Sequence, residues 1–235
     1  MHVAQFVHRY PPAVGGAEAW AARLSRHLVA CGHRVTVFTT TALDLPAFAR
    51  RGHRELAPGT TREDGVSVRR FGLNLRFAGR RAVLKAASAV PIRRWQAMTQ
   101  PWGPISLPMW HEALRPPADL GAVHAIAFPY AAIIQSGLRL AHRAGVPFVV
   151  TPFLHLGDPD DPNDRIRQAY TAPHLRRLLW EADRVIVQTP TEARAVEGLG
   201  VPGKRVVLQG LGVESTECTG GDRSATRARW GIGSG

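Results

Sequence analysis

The chain has 235 residues, 45% of them hydrophobic and 20% charged, which is typical of a globular protein with a substantial core. Its two cysteines are too few for a disulfide framework or a cysteine-based metal site, so we expect a reducing, cytoplasmic setting. We expect neither a signal peptide nor a transmembrane helix, because no run approaches about 20 apolar residues. The net charge of +12 comes mostly from scattered arginines without a nucleic-acid-binding motif, so nucleic acid is not an expected partner.

The first elements of the chain predict a βαβ unit that contains a pair of adjacent glycines. The apolar run 2–8 predicts one strand, and the β-branched run Arg34–Thr40 predicts a second, buried strand. Apolar residues at helical spacing predict a helix between them, and this helix begins at Gly15 and Gly16. A helix start exposes unpaired N–H groups, so these glycines are candidates for binding a phosphate or diphosphate. The alternative is that they only make a tight turn.

Glu18 falls in the first turn of this helix, and its position in the helical pattern predicts that it lies largely off the apolar stripe. After the second strand, prolines and glycines in 41–63 predict a long surface loop. The run 65–71 alternates in polarity and predicts a short strand. The first 71 residues therefore predict the βαβ unit, then a long loop, and then a short strand.

Residues 76–98 predict a basic helical stretch that is interrupted at Pro91. One interpretation is an amphipathic helix that covers the sheet. The other is a contact with a membrane surface, in which Phe77, Leu84 and Trp95 would enter the interface.

Regular alternation of strands and helices returns after residue 121. Apolar runs at 122–128, 146–151, 184–188 and 204–209 predict strands, and Ala131–Ala144 predicts a helix between the first two. Strands that alternate with helices are typical of a parallel sheet in the α/β class. Ligands of such sheets bind beyond the carboxyl ends of the strands, so the loops after these strands are the candidate site.

The loop after residue 151 contains His155 and four aspartates, Asp158, Asp160, Asp161 and Asp164. Carboxylates are ligands for hard cations, so a divalent metal site is one interpretation. The prolines between these aspartates favour a turn-rich loop, with Asp164 capping the helix that follows. A predicted helix over 165–182 contains a proline and is therefore expected to kink or divide.

Several of these motifs together resemble the first domain of the retaining GT-B glycosyltransferases of family 4. They are PPAVGGAE followed by GHRVTVFT, then AHRAGVPFVVTP, and then ADRVIVQTPTEARAVEGLGV. The resemblance implies a Rossmann-like, doubly wound parallel sheet forming a single GT-B half-domain over 1–214. It also implies that 215–235 is a linker with the start of a second domain, Glu214 being the acidic residue at the crossing. We therefore expect this chain to lack the donor-binding domain of the family.

The resemblance also implies roles for individual residues. Gly15 and Gly16, with Glu18, would face the donor diphosphate, and His155 would be catalytic, near the transferred sugar and the acceptor. Thr189 and Glu192 would face the cleft between the domains, although a helix-capping role explains Thr189 equally well. No metal or other cofactor is implied.

The function implied is retaining transfer of a sugar from a nucleotide-sugar donor to an acceptor, with this chain as the acceptor-binding half. The acceptor is a lipid, a glycan or a small molecule, and a separate donor domain and peripheral contact with the inner membrane face are further expected partners. The alternative is a non-catalytic Rossmann-like module or subunit that binds an anionic or phosphorylated ligand.

Overall fold

The computed structural model describes residues 1–158, 160–161, 163–213 and 215–233, and in them the chain forms one eight-stranded sheet. The strand order is β3-β4-β2-β1-β5-β6-β7-β8. Among these described strands, β3 alone pairs antiparallel to its neighbour. The α/β class and the doubly wound parallel sheet are therefore confirmed.

The strands are β1 (His2–Val7), β2 (Arg34–Thr40), β3 (Gly59–Glu63), β4 (Val66–Phe71), β5 (Leu120–Ile126), β6 (Phe148–Thr151), β7 (Arg184–Val187) and β8 (Val206–Leu208). The helices are α1 (Gly16–Ala30), α2 (Arg80–Ala87), α3 (Arg93–Met98), α4 (Leu107–Glu112), α5 (Ala131–Ala144), α6 (Arg165–Tyr170), α7 (Pro173–Trp180), α8 (Pro190–Gly198), α9 (Ser215–Cys218) and α10 (Arg223–Arg229). Short 3-10 turns lie at Pro46–Phe48 and Gly203–Arg205.

The prediction of a structureless loop over 41–63 is wrong, because its last five residues form β3. This strand pairs with β4 through a two-residue turn at Asp64 and Gly65, both with positive φ. Such a turn matches the right-handed twist of a hairpin, and Asp-Gly is its typical sequence. The strand itself is polar and mostly exposed, so it lacks the alternation by which strands are recognised.

The helices cover the two faces of the sheet unequally. Helix α1 packs on one face, where Ala21 and Ala22 contact the valines of β2 and β4. Helices α3, α4, α5, α7 and α8 contribute to the larger core cluster on the other side. This division follows from handedness: right-handed crossovers that run in opposite directions along a parallel sheet place their helices on opposite faces.

The basic stretch 76–98 divides into α2 and α3 around Pro91, as predicted. Leu84 is buried against Ile105 and Ala132, so the expectation that it enters a membrane is wrong. Arg80 is buried too, and its guanidinium donates to the backbone oxygens of Pro101 and Gly103 at 2.6 and 2.7 Å. Arg80 therefore holds α2 against the loop that contains Pro101 and Gly103.

Pro173 divides the predicted helix over 165–182 into α6 and α7, and it occupies the first turn of α7, where its missing N–H is tolerated. Residues 215–233 contain α9 and the largely exposed α10. Glu214, placed by the sequence at the domain boundary, lies outside the described residues. The division into two domains stays a prediction.

No helix in the described part of the chain has the length and apolar character needed to cross a membrane.

Candidate functional site

The loops that follow β1, β5, β6 and β7 lie at the carboxyl edge of the sheet. From β1 the chain crosses to β2 on one side, and from β5 it crosses to β6 on the other, while β1 and β5 pair directly. This is a topological switch point, where α/β proteins open a crevice for a ligand. The sequence-predicted site residues all belong to these loops or to the helices that follow them.

Gly15 and Gly16 form the turn from which α1 begins, as the sequence predicts. The backbone at Gly15 is extended, with φ 168° and ψ 160°, so its conformation alone does not require glycine. A Cβ on Gly15 would instead collide with the carboxylate of Glu18, whereas a Cβ on Gly16 meets nothing within 4 Å. Gly16 therefore leaves open space where its side chain would be, at the first turn of α1 and the positive end of the helix dipole.

Glu18 lies on the buried face of α1, so its predicted position off the packed stripe is wrong. Its carboxylate is 2.6 Å from the Arg9 guanidinium and 3.1 Å from Nε2 of His8. Its side chain is only 3% exposed, and that of His8 is 4% exposed. The buried face of α1 holds polar groups because β1 supplies polar partners for them, which helical periodicity alone does not reveal.

Burial and neighbouring charges act in opposite directions on the pKa values of Glu18 and His8. Burial raises the pKa of Glu18, but the bond from His8 and the charge of Arg9 outweigh it, so this pKa lies below its usual value. Burial lowers the pKa of His8 despite the neighbouring carboxylate. The carboxylate is therefore ionised at neutral pH, and it lies against both His8 and Arg9.

Two aromatic rings also contact His8. The ring of Tyr130, which precedes α5, stacks on the imidazole with centroids 3.9 Å apart. Phe48 meets both rings edge-on, at centroid distances of 6.1 and 5.5 Å. Burial raises the pKa of Tyr130 to about 12, so its phenol stays protonated. These contacts join the loops after β1, β2 and β5 into one rigid wall.

His155 follows β6 on an exposed part of the loop. Its ring lies 4.8 Å from the ring of Tyr170 at the end of α6, tilted by 52°. It therefore faces solvent at the same edge of the sheet as the glycine turn. Its catalytic role stays a prediction.

Thr189 and Glu192 form the start of α8. The Thr189 hydroxyl accepts the N–H of Glu192 at 3.1 Å, which confirms that it caps the helix. Glu192 is buried, and its two carboxylate oxygens accept the N–H groups of Leu154 at 2.7 Å and Gln188 at 2.8 Å. The observed contacts of Glu192 thus join the loop that carries His155 to the end of β7.

Replacing Glu192 with Gln is expected to lower the free energy of unfolding by about 2 kcal/mol, because an amide group then meets one of these two N–H groups. The His155 loop is held by Leu154, the residue before it, so amide hydrogen exchange at 153–156 is expected to accelerate. Chemical denaturation and hydrogen exchange measure the two effects. Glu197→Gln, on the exposed side of α8, is the matched control. Unchanged exchange in this loop would contradict the positioning role.

The aspartates after His155 bind the backbone of their own loop. Asp158 accepts the N–H of Asp160, Asp161 accepts that of Asn163, and Asp164 caps α6 by accepting from Arg167 at 2.7 Å. In the described residues no three His, Cys, Asp or Glu side chains converge as metal ligands would. The predicted cap at Asp164 is confirmed.

A cavity of about 590 Å³ opens between α3, α7 and the start of α5. Its lining includes Pro129, next to the stacked Tyr130, and Gln100, whose side-chain oxygen accepts the N–H of Ala131 at 3.1 Å. Nε2 of His174, another lining residue, is buried without a hydrogen-bond partner among the described residues. Burial and the nearby charge of Arg93 lower the pKa of His174 to about 4, so this ring is neutral at pH 7. A family model described as a glycosyl transferase 4-like domain matches residues 15–212, which include the residues that line this cavity and all the sequence-predicted site residues.

The chain belongs to the glycosyl transferase 4-like family. A comparison with curated proteins finds no match. Similar solved structures include a sucrose-phosphate synthase from Thermosynechococcus elongatus, with 13% identity, a TM-score of 0.48, and coverage of 98% of this chain and 96% of that chain. An α,α-trehalose 6-phosphate synthase from Burkholderia multivorans has 14% identity, a TM-score of 0.43, and coverage of 83% and 41%. An apo structure of OtsA has 15% identity, a TM-score of 0.46, and coverage of 92% and 50%. The chain thus spans half or less of the last two.

Sequence reasoning about this glycosyl transferase 4-like domain missed His8, Arg9 and Tyr130. The pair His8-Arg9 ends a buried strand, and charged residues at that position are a usable signal for a polar cluster at the carboxyl edge. Tyr130 gives no such signal, because its contact with His8 joins residues 122 positions apart.

Proposed function

We propose that this domain is the acceptor-binding half of a retaining glycosyltransferase that takes its sugar from a nucleotide-sugar donor. Family membership supports the reaction class. One structural observation carries the assignment of the site: at the first turn of α1, beside the switch point, a Gly16 side chain would meet nothing within 4 Å. An anionic group fits this position through backbone N–H groups alone.

The proposed reaction breaks the bond between the sugar's anomeric carbon and the diphosphate, and negative charge develops on the departing oxygen. The N–H groups of Gly16 and Ala17 and the dipole of α1 would stabilise that charge. Glu18 would not touch the diphosphate, because its carboxylate is buried against Arg9 and His8. Its proposed role is to hold the turn in place.

The acceptor would approach from the side of His155 and the 590 Å³ cavity. His155 would lie near the transferred sugar, where an exposed imidazole can donate or accept a hydrogen bond. Glu192 and Thr189 would position the loop rather than contact the acceptor, because their polar atoms already bind backbone groups. No metal is needed for these steps.

The donor's diphosphate would bind at the start of α1, and its nucleoside would gain further contacts from a second domain across the edge, in the same polypeptide or in a partner chain. We propose that residues 1–214 are the acceptor-side unit and that 215–235 lead toward that domain. Peripheral membrane contact stays a prediction, with Phe77 and Trp95 exposed and Leu84 excluded from it by burial.

The test is to measure binding and hydrolysis of a panel of uridine and guanosine diphosphate sugars by the purified chain and by Gly16→Trp. Because a side chain at residue 16 projects into open space, the variant is expected to fold and to lose at least about 90% of donor binding by occupying the anion position. Gly198→Trp is the matched control, since Gly198 is also exposed and helical with nothing within 4 Å of a Cβ.

Binding that Gly16→Trp abolishes and Gly198→Trp preserves would support the proposal. Equal binding by both variants would place the donor elsewhere. A folded chain that binds and cleaves no sugar nucleotide in the panel would contradict donor binding by this half and would favour the non-catalytic module.

A further inference from the structure

A groove of about 920 Å³ runs between α3 and α5, away from the glycine turn. It is lined by residues of α2 to α5, of α7 and of the segments between them. Its volume is in the range of pockets that hold a small-molecule ligand.

The α3 side of this groove is apolar. Ile92 and Trp95 keep 58% and 47% of their surface exposed, and Val90 keeps 43%. The Trp95 ring is fixed in place because its Nε1 donates to the backbone oxygen of Ala87 at 2.7 Å. Neighbouring apolar side chains that line a concave surface are favourable contacts for a ligand with its own apolar surface.

The opposite side of the groove is basic. Arg139 of α5 lies over the Trp110 ring, 3.9 Å from its centroid, and Arg177 of α7 pairs with Glu181 at 2.8 Å. Glu181 is also 3.6 Å from His142, so this one carboxylate serves two basic groups. The guanidinium charges at the groove therefore exceed the nearby negative charge.

Arg94 adds a third guanidinium from the α3 side. Burial is the main cause that lowers the pKa of Arg177, and the positive charge of Arg94 lowers it further, against the effect of Glu181. The two guanidiniums thus repel each other across the groove. An anion bound between them would relieve this repulsion, which is a form of charge complementarity.

We propose that this groove binds one molecule of an anionic amphiphile, which is a single alkyl or acyl chain with a phosphate, sulfate or carboxylate head. The chain would lie against Ile92, Trp95 and Leu138, and the head would lie between Arg94 and Arg177, within reach of Arg139. The groove and the 590 Å³ cavity use different residues of α3, since Arg93 and Gln96 line only the cavity. The proposal is therefore independent of the proposed glycosyl transfer.

A single molecule fits the observations better than the surface of a bilayer. The apolar residues line a concavity between two helices, whereas insertion into a bilayer needs an apolar surface that projects from the protein. Leu84, which would extend such a surface along α2, is buried.

The experiment titrates the full chain with dodecyl phosphate below its critical micelle concentration, by calorimetry and by tryptophan fluorescence. The expected result is saturable binding of one molecule per chain. Dodecyl maltoside, which has the chain without the charge, and inorganic phosphate, which has the charge without the chain, are each expected to bind at least about tenfold more weakly. Vesicles of phosphatidylglycerol test the bilayer as the alternative source of the same chemistry.

Two variants test the two sides of the groove. Ile92→Glu and Arg94→Glu are each expected to weaken dodecyl phosphate binding by at least about tenfold, through lost apolar contact and through charge repulsion. The matched controls are Ile166→Glu, an isoleucine 51% exposed on α6, and Arg143→Glu, an exposed arginine of α5 that does not line the groove. Circular dichroism checks that all four variants fold.

Loss of binding in the two groove variants, with both controls binding as the unmodified chain does, supports the site. Equal binding by Ile92→Glu and Ile166→Glu overturns it. Binding to vesicles without binding of monomeric dodecyl phosphate, or equal affinity for the neutral amphiphile, also overturns it.

Discussion

Replacing Glu18 with Gln is expected to lower the free energy of unfolding by about 3 kcal/mol, because it leaves the Arg9 guanidinium buried without its counter-charge. The Glu18 and Arg9 side chains are 3% and 11% exposed and lie 2.6 Å apart, so water screens the pair little. Chemical denaturation at pH 7 measures the change. The same substitution should loosen the turn at Gly15, over which the carboxylate folds, and so weaken any ligand bound there.

Glu197→Gln is the control for the loss of an exposed carboxylate, and it should change stability by less than about 0.5 kcal/mol. Arg9→Met and the double variant Arg9→Met/Glu18→Gln complete a double-mutant cycle. The double variant is expected to be more stable than the sum of the single changes predicts, because it leaves no unpaired buried charge. Additive losses would show that Arg9 and Glu18 do not stabilise each other.

Acidification from pH 7 to pH 4 is expected to cost this protein about 3 kcal/mol through His124 alone. Burial lowers the pKa of His124 to about 4, whereas an unfolded chain has a histidine pKa near 6.5. Between about pH 6.5 and pH 4, His124 is protonated in the unfolded chain but stays neutral in the folded chain. The free energy of unfolding therefore falls as the pH is lowered through this range. The stabilising contribution is fully present above pH 6.5.

His124→Gln isolates this contribution, because Gln does not titrate. In the unmodified chain Nε2 of His124 lies 2.8 Å from the Thr151 hydroxyl, and the Gln amide can still form a hydrogen bond to that hydroxyl. Burial also lowers the pKa of His2, His8 and His174, so the variant should keep part of the acid sensitivity. The measured quantity is the difference in unfolding free energy between the unmodified chain and the variant from pH 7 to pH 4. A difference that stays constant over this range would refute the buried, neutral state of His124.

Much of the candidate site could be predicted from the sequence, because its turns and helix caps depend on contacts between residues close together in the chain. The turn at Gly15 and Gly16, the cap at Thr189 and the cap at Asp164 each depend on contacts within a few residues, and the structure has all three. His155 follows its strand at the predicted place for the same reason. Whether these residues bind a ligand is a separate question, which the donor-binding experiment addresses.

The remaining errors have two physical causes. The polar strand β3 was missed because its pairing with β4 stabilises it, not its own residue pattern. Glu18 was misplaced because it faces a partner on another element, Arg9 after β1. Burial of Leu84 against Ile105 agrees with a helix that covers the sheet and contradicts the alternative in which Leu84 enters a membrane. A helical pattern identifies an apolar face, but it does not reveal which polar side chains a neighbouring element will satisfy.

The sequence by itself determined the class of this protein, the order of most of its strands and helices, and the start of α1 at the glycine pair. Hydrophobic periodicity and turn chemistry act over about ten residues, so they are readable in the chain. Only the tertiary structure decided that Glu18 pairs with Arg9 and His8, that Glu192 holds the His155 loop, and that α3 and α5 enclose a groove with one basic side. These features depend on side chains that belong to different elements and meet only when the sheet has assembled.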